Sequence, residues 1–162
     1  MKVLKKQTNS KMCIVCGMEN PAGLHAPFYE MEDNTVITIF SFSDIHQSYP
    51  ERTHGGLITT ILDELIGRAL WIYEPKVWGV TATINVKFRK PVPYNEKLKG
   101  IGQIIENKAR LFKGIGRLET MDGEVLAEAE AVYVKIPLDK IVDSRSHDSE
   151  IDIYVEDNVK EI

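Results

Sequence analysis

His54 is followed by two glycines, Gly55 and Gly56, and a carboxylate, Asp63, comes nine residues after that histidine. Glycine has no Cβ, so its amide lies open to a ligand. Where a helix begins, the first amides also lack intrahelical acceptors and sit at the positive end of the helix dipole. Donors placed in this way stabilise an oxyanion developing on an acyl carbon. An acid two to three turns further along is suited to act as general base or nucleophile. The side chain of His54 reads as a helix cap or a packed residue, with the chemistry assigned to the backbone behind it. Asp63 falls at the edge of the apolar stripe of its helix, whereas Glu64 lies about 100° further round. The two acids therefore diverge, and Glu64 reads as a surface or interface residue. Arg89 and Lys90 follow the next apolar segment, either as ordinary surface charges or as a seat for phosphate groups.

The chain has two cysteines, Cys13 and Cys16, in a C-x-x-C spacing. A redox pair would call for a βαβ context that the flanking residues do not supply. A zinc site would need two more ligands, from His25 or a second chain. The third reading is a pair of small buried thiols in an N-terminal turn. The expectation is that neither a metal nor an organic cofactor takes part in the chemistry.

These residues must be held by elements that the periodicity outlines. Residues 1–12 read as a loose basic lead-in, Leu24 to Glu30 as a possible short strand and Thr35 to Phe42 as a strand. After the loop His46 to Thr53, apolar residues at Ile58, Ile61, Leu62, Leu65, Ile66, Ala69 and Ile72 recur at three- and four-residue intervals. They define one long buried helix, about 56–73. Four strands follow: Thr81 to Phe88, Lys97 to Glu106, Leu111 to Thr120 and Val125 to Ile136. Strict alternation in the first puts Ala82, Ile84, Val86 and Phe88 on one face and Thr81, Thr83, Asn85 and Lys87 on the other. In the last, Leu126, Val132, Val134 and Ile136 share a face. Asp122-Gly123 is a hairpin signal. The fold class is α+β, a curved antiparallel sheet wrapped around one central helix. Its open edges favour a symmetric homodimer or dimer of dimers. The domain spans 13–137, and 138–162 is a polar, acidic tail in which DSRSHDSEID reads as linker. Trp71, Tyr73 and Trp78 line a pocket or belong to the core.

With 162 residues, one domain is the default. A net charge of −4 with no basic face argues against nucleic acid as partner. No apolar run reaches membrane-spanning length, and no signal-peptide pattern is present. A cytoplasmic location is the expectation.

The segment HGGLITTILDE, preceded by HQSYPERT and followed by GVTATINVKFRKPVP, resembles the hotdog-fold acyl-CoA thioesterases, and the phenylacetate-pathway-type (PaaI-like) branch most. CIVCGMENPAGLH is similar to a segment of some members, so the resemblance runs from about Cys13 to Lys135. It implies an acyl-CoA substrate, with the Gly55 amide, and Gly56 beside it, polarising the thioester carbonyl. It implies Asp63 as the group that attacks or activates water, and Thr81 as a holder of that water. Relatives with an assisting Asn six residues before the histidine correspond here to Ser48, flanked by His46 and Gln47. Many have Gly after the loop proline, where this chain has Glu51. Two other classes stand beside this one. A dehydratase of the same fold pairs a loop His with a helix Glu fourteen residues on. From His46 that count reaches Thr60, and Glu64 comes four residues later. A non-catalytic acyl-CoA-binding protein has no such requirement.

Overall fold

The computed structural model describes residues 1–141, 153 and 155–162. The strands are β1 (Val3–Lys6), β2 (Tyr29–Met31), β3 (Val36–Phe40), β4 (Gln47–Tyr49) and β5 (Arg52–Thr53). Helix α1 (Gly55–Arg68) follows, and then β6 (Val77–Phe88), β7 (Leu98–Asn107), β8 (Leu111–Thr120) and β9 (Val125–Pro137). Seven strands form one sheet in the order β1-β2-β3-β7-β8-β9-β6, antiparallel throughout, and β4 and β5 pair as a separate ribbon. The sheet curls around α1, as the sequence pattern requires. The helix is shorter than its apolar repeat because its last turn tightens into a 3₁₀ segment, Ala69–Ile72.

Most of the apolar stripe is buried as expected: Ile58, Ile61, Leu62, Leu65, Ile66 and Ala69 are all at or near zero exposure, while Ile72 is only partly buried. Each of the larger side chains contributes about 1.5–3 kcal/mol by leaving water. The sheet floor beneath them is built from small residues, with Gly100, Gly102, Gly114 and Gly116 on β7 and β8 and the buried Ala127, Ala129 and Ala131 on β9. A Cβ on Gly102 would stand 2.6 Å from the Leu65 carbonyl oxygen, so only glycine lets the helix lie this close.

Strand β6 departs from strict alternation. Thr81 pairs with Tyr133, and Thr83 already pairs with Val132, so Ala82 is an extra residue in a bulge. The bulge switches parity. Val77, which precedes it, and Ile84 and Val86, which follow it, all pack against the core. Thr81 is thereby turned to the helix side, where simple alternation had placed it opposite Ile84.

The two ends of the sheet differ. Residues 1–12, expected as a loose lead-in, instead supply β1, because its backbone finds partners on both sides. One side pairs with β2, and on the other the Val3 amide donates to the Lys160 carbonyl at 2.8 Å. The C-terminal residues thus return to cover this edge, with Tyr29 Oη donating to Asp157 at 2.7 Å. The expected linker at 143–152 lies outside the described residues. At the other end, among the described residues, β6 has a neighbour on one side only. No helix among the described residues is long and apolar enough to cross a membrane.

Candidate active site

The helix entrance is fixed from several directions. The β4–β5 ribbon turns at Glu51, whose φ of 67° is the left-handed conformation that favours glycine. Tyr94 Oη accepts from the Glu51 amide at 3.0 Å. The Thr53 amide donates to the Val92 carbonyl, the Thr53 hydroxyl to the Pro93 carbonyl, and the His54 amide to the His46 carbonyl. His54 is the N-cap: its Nδ1 accepts from the Gly56 amide at 2.9 Å. This corrects the expectation of two free glycine amides. Gly56 is already engaged by the cap, and of the two it is the Gly55 N–H that has no partner among the described residues. The Phe88 ring lies against Gly55, 3.5 Å from where a Cβ would be.

Asp63 lies on α1 with one carboxylate oxygen, Oδ1, held by two hydroxyls. Thr81 Oγ1 donates at 2.8 Å and Tyr133 Oη at 2.9 Å, the phenol also reaching the Asp63 carbonyl at 2.8 Å. Oδ2 has no hydrogen-bond partner among the described residues. Thr81 reaches Asp63 because of the bulge at Ala82. Tyr133 does so from β9, its ring stacked on Phe112 with centroids 4.7 Å apart. Burial first, and then the Asp63 charge and hydrogen bond, push the Tyr133 phenol above its ordinary pKa, so it is a donor and not an acceptor here. Tyr133 was not among the sequence candidates. The signal for it was weak but present: alternation on β9 sets Tyr133 opposite Val132 and Val134, on the helix side with the alanines.

The other candidates fall elsewhere. His46 is buried and fully engaged, with Nδ1 accepting from the Ser43 amide at 2.9 Å and Nε2 donating to the Ala22 carbonyl at 2.8 Å. It ties the N-terminal loop to the helix entrance and does not reach Asp63. Ser48 is exposed on β4 and has no hydrogen bond to Asp63, Thr81 or Gly55. Arg89 and Lys90 are exposed at the end of β6, paired with Glu128 at 2.7 Å and with Glu124. Trp71 and Trp78 pack on each other with centroids 5.1 Å apart, and Tyr73 is exposed.

Glu64, which helical geometry suggested as a surface or interface residue, is half-buried. It holds the buried Arg68 at 2.7 Å and lies with Cys13 and Cys16 in a group whose ligand atoms are all within 4.8 Å of one another. The Cys13 thiol is lowered to about 6, chiefly by the hydrogen bond from Cys16 and in spite of burial. The Cys16 thiol is raised by that same bond and by burial. His25, the ligand considered from sequence, instead bonds the Asn20 carbonyl through Nε2 at 2.7 Å.

Comparison with known proteins bears on both helix and sheet. Residues 52–127 match the family model described as the thioesterase superfamily. An acyl-coenzyme A thioesterase of Rattus norvegicus, THEM4, is 26% identical over 117 residues, covering 72% of this chain and 50% of its own length. The chain therefore spans about half the length of that curated relative. Among solved structures, a thioesterase superfamily protein superposes with a TM-score of 0.70 at 26% identity, over 75% of this chain and 59% of its own. The E. coli PaaI protein from the phenylacetic acid degradation operon superposes with a TM-score of 0.62 at 12% identity, over 70% and 80% of the two chains. At that identity the likeness is one of fold.

Proposed function

This chain is a hotdog-fold protein with a thioesterase-superfamily segment at its centre, and we propose that it hydrolyses acyl-CoA thioesters as a PaaI-like enzyme. The observation that carries this reading is Asp63, braced through Oδ1 by Thr81 and Tyr133, on a helix whose start bears the unpartnered Gly55 amide; eight helical residues set the two about 12 Å apart, so the Gly55 amide of one copy works with Asp63 of the partner subunit in a two-fold dimer. The thioester carbonyl oxygen accepts from the Gly55 N–H, where the helix dipole favours the charge that builds on it. The free Oδ2 of Asp63 of the partner subunit then acts in one of two ways. It takes a proton from a water that attacks the carbonyl carbon, or it attacks that carbon itself to give an anhydride that water later opens. In both, the C–S bond breaks and the sulfur leaves as the CoA thiolate, which picks up a proton. No step calls for a metal or an organic cofactor.

Arg89 and Lys90 suit the nucleotide phosphates of CoA. Their carboxylate pairs are exposed, and such pairs are worth about 1 kcal/mol or less, so a phosphate readily displaces them. The open edge of β6 is the surface for a homodimer that completes the pocket.

Asp63→Asn tests the reading. It keeps shape and both hydroxyl contacts but removes the base, so kcat on the best substrate of an acyl-CoA panel should fall about a hundredfold or more. Free-thiol release at near wild-type rate in the folded variant would refute the mechanism. No release from any acyl-CoA by the wild type, with binding retained, would make the protein a binder.

A further inference from the structure

We infer that Cys13, Cys16 and Glu64 form a binding site for a thiophilic divalent cation of the zinc class. The inference is independent of the thioesterase reading. The three ligand atoms lie within 4.8 Å of one another, although they come from a loop and from the middle of α1. Zinc holds sulfur at about 2.3 Å and carboxylate oxygen at about 2.0–2.2 Å, which spaces tetrahedral ligands about 3.5–3.8 Å apart. The cluster is therefore about 1 Å from closure, within reach of side-chain rotation.

The loop holds the two sulfurs close to each other and to Glu64. The Val15 amide donates to Cys13 Sγ at 3.3 Å and the Cys16 amide at 3.4 Å. Ser10 Oγ accepts from the Cys13 amide at 3.2 Å and lies 3.4 Å from Cys16 Sγ. The turn closes through the Gly17 amide to the Cys13 carbonyl at 2.8 Å. A Cβ on residue 17 would sit 2.3 Å from that oxygen, so only glycine permits this turn.

Glu64 has the form of a supported ligand. Its Oε1 accepts from Arg68 Nε at 2.7 Å, and its other oxygen has no partner among the described residues. Ligating carboxylates are commonly oriented by such a second contact. Arg68 is itself immobilised, its guanidinium 4.4 Å from the Phe28 ring and 4.8 Å from the Trp71 ring, with Nη1 donating to the Thr8 carbonyl at 2.9 Å. Charge balances as well. Arg68 offsets Glu64, and a divalent ion that displaces one proton from each thiol forms two metal–sulfur bonds with no change in the charge of the cluster. No fourth His, Cys, Asp or Glu joins among the described residues, so water completes the tetrahedron. The ion would clip the N-terminal loop to α1 one residue beyond Asp63.

The full chain, purified reduced and without a histidine tag, should carry close to one zinc per chain by elemental analysis. After metal removal it should take up one cobalt(II) with thiolate-to-metal charge-transfer absorption. Cys13→Ser and Cys16→Ser should abolish that band. Glu64→Gln still accepts from Arg68 but loses the anionic ligand, and should weaken cobalt binding at least tenfold while circular dichroism is unchanged. Should the cysteine variants fail to fold, the wild-type spectrum and Glu64→Gln decide the matter. Reduced, folded wild type that takes up no cobalt, or Glu64→Gln that binds it as tightly as wild type, would overturn the site.

Discussion

Asp63 Oδ1 accepts from two hydroxyls, and this fixes the direction in which Oδ2 points. Hydrogen bonds to a charged group are worth about 1.5–3 kcal/mol, so Tyr133→Phe or Thr81→Val should lower kcat about tenfold or more with KM little changed. An unchanged kcat in thiol-release assays would mean that the cradle does not position the carboxylate. The phenol offers a second reading. Its folded pKa is raised, so the stability it contributes is present below the unfolded value of about 10 and is lost as pH rises beyond it. Thermal melts above about pH 10 should therefore separate less from the neutral melts in Tyr133→Phe than in wild type. At the helix start, His54→Ala removes the acceptor for the Gly56 amide and should cost about 0.5–2 kcal/mol, measured by urea unfolding. The sequence made Asp63 legible because a carboxylate on an apolar repeat stands out, and glycines mark a bare amide. It did not show which amide stays free, because an exposed imidazole capping Gly56 depends on a rotamer. Nor did it show Glu64 with the cysteines, since that contact joins residues about fifty positions apart through tertiary packing.

At the scale of elements, α1 and the four long strands were readable because their periods persist over ten residues or more, where burial is decided by one face. The bulge at Ala82 was not, since nothing in an alternating run of Thr, Ala, Thr and Ile marks where the ladder slips, and the slip alone brings Thr81 to Asp63. The small-residue floor is written in the chain as G-x-G on β7 and β8 and alternating alanines on β9, but its meaning depends on the helix that comes down on it. The loop before α1 shows the converse. Glu51 holds a φ of 67° that relatives of the resembling family meet with glycine, and a side chain there costs about 1 kcal/mol. Glu51→Gly should therefore match or raise the melting temperature, with activity intact, since the Glu51 side chain has no part in the ribbon's contacts to Tyr94 and Val92. A loss of several degrees would show that the glutamate side chain stabilises the loop in some other way.

For the whole molecule, the two sheet edges differ, and the difference bears on assembly. The β1 edge is closed by the chain's own C-terminal residues, a contact that no local pattern announces because it joins opposite ends of the sequence. The β6 edge is twelve residues long and open, with Val80 and Phe88 exposed along it. An unpaired strand edge of that length and apolarity is a template for further pairing unless a partner covers it. A second copy laid antiparallel across a two-fold axis satisfies the same backbone groups on both chains at once. The pairing would also bring the partner close to Phe88 and the Gly55 amide, so that each pocket is bounded by two chains. Light scattering at micromolar concentration should give a dimer or a dimer of dimers. Charges introduced on this edge, as in Val80→Lys, should shift the protein toward monomer and lower thiol release in proportion to the dimer lost. A wild-type monomer with full activity would refute both the pairing and the shared pocket.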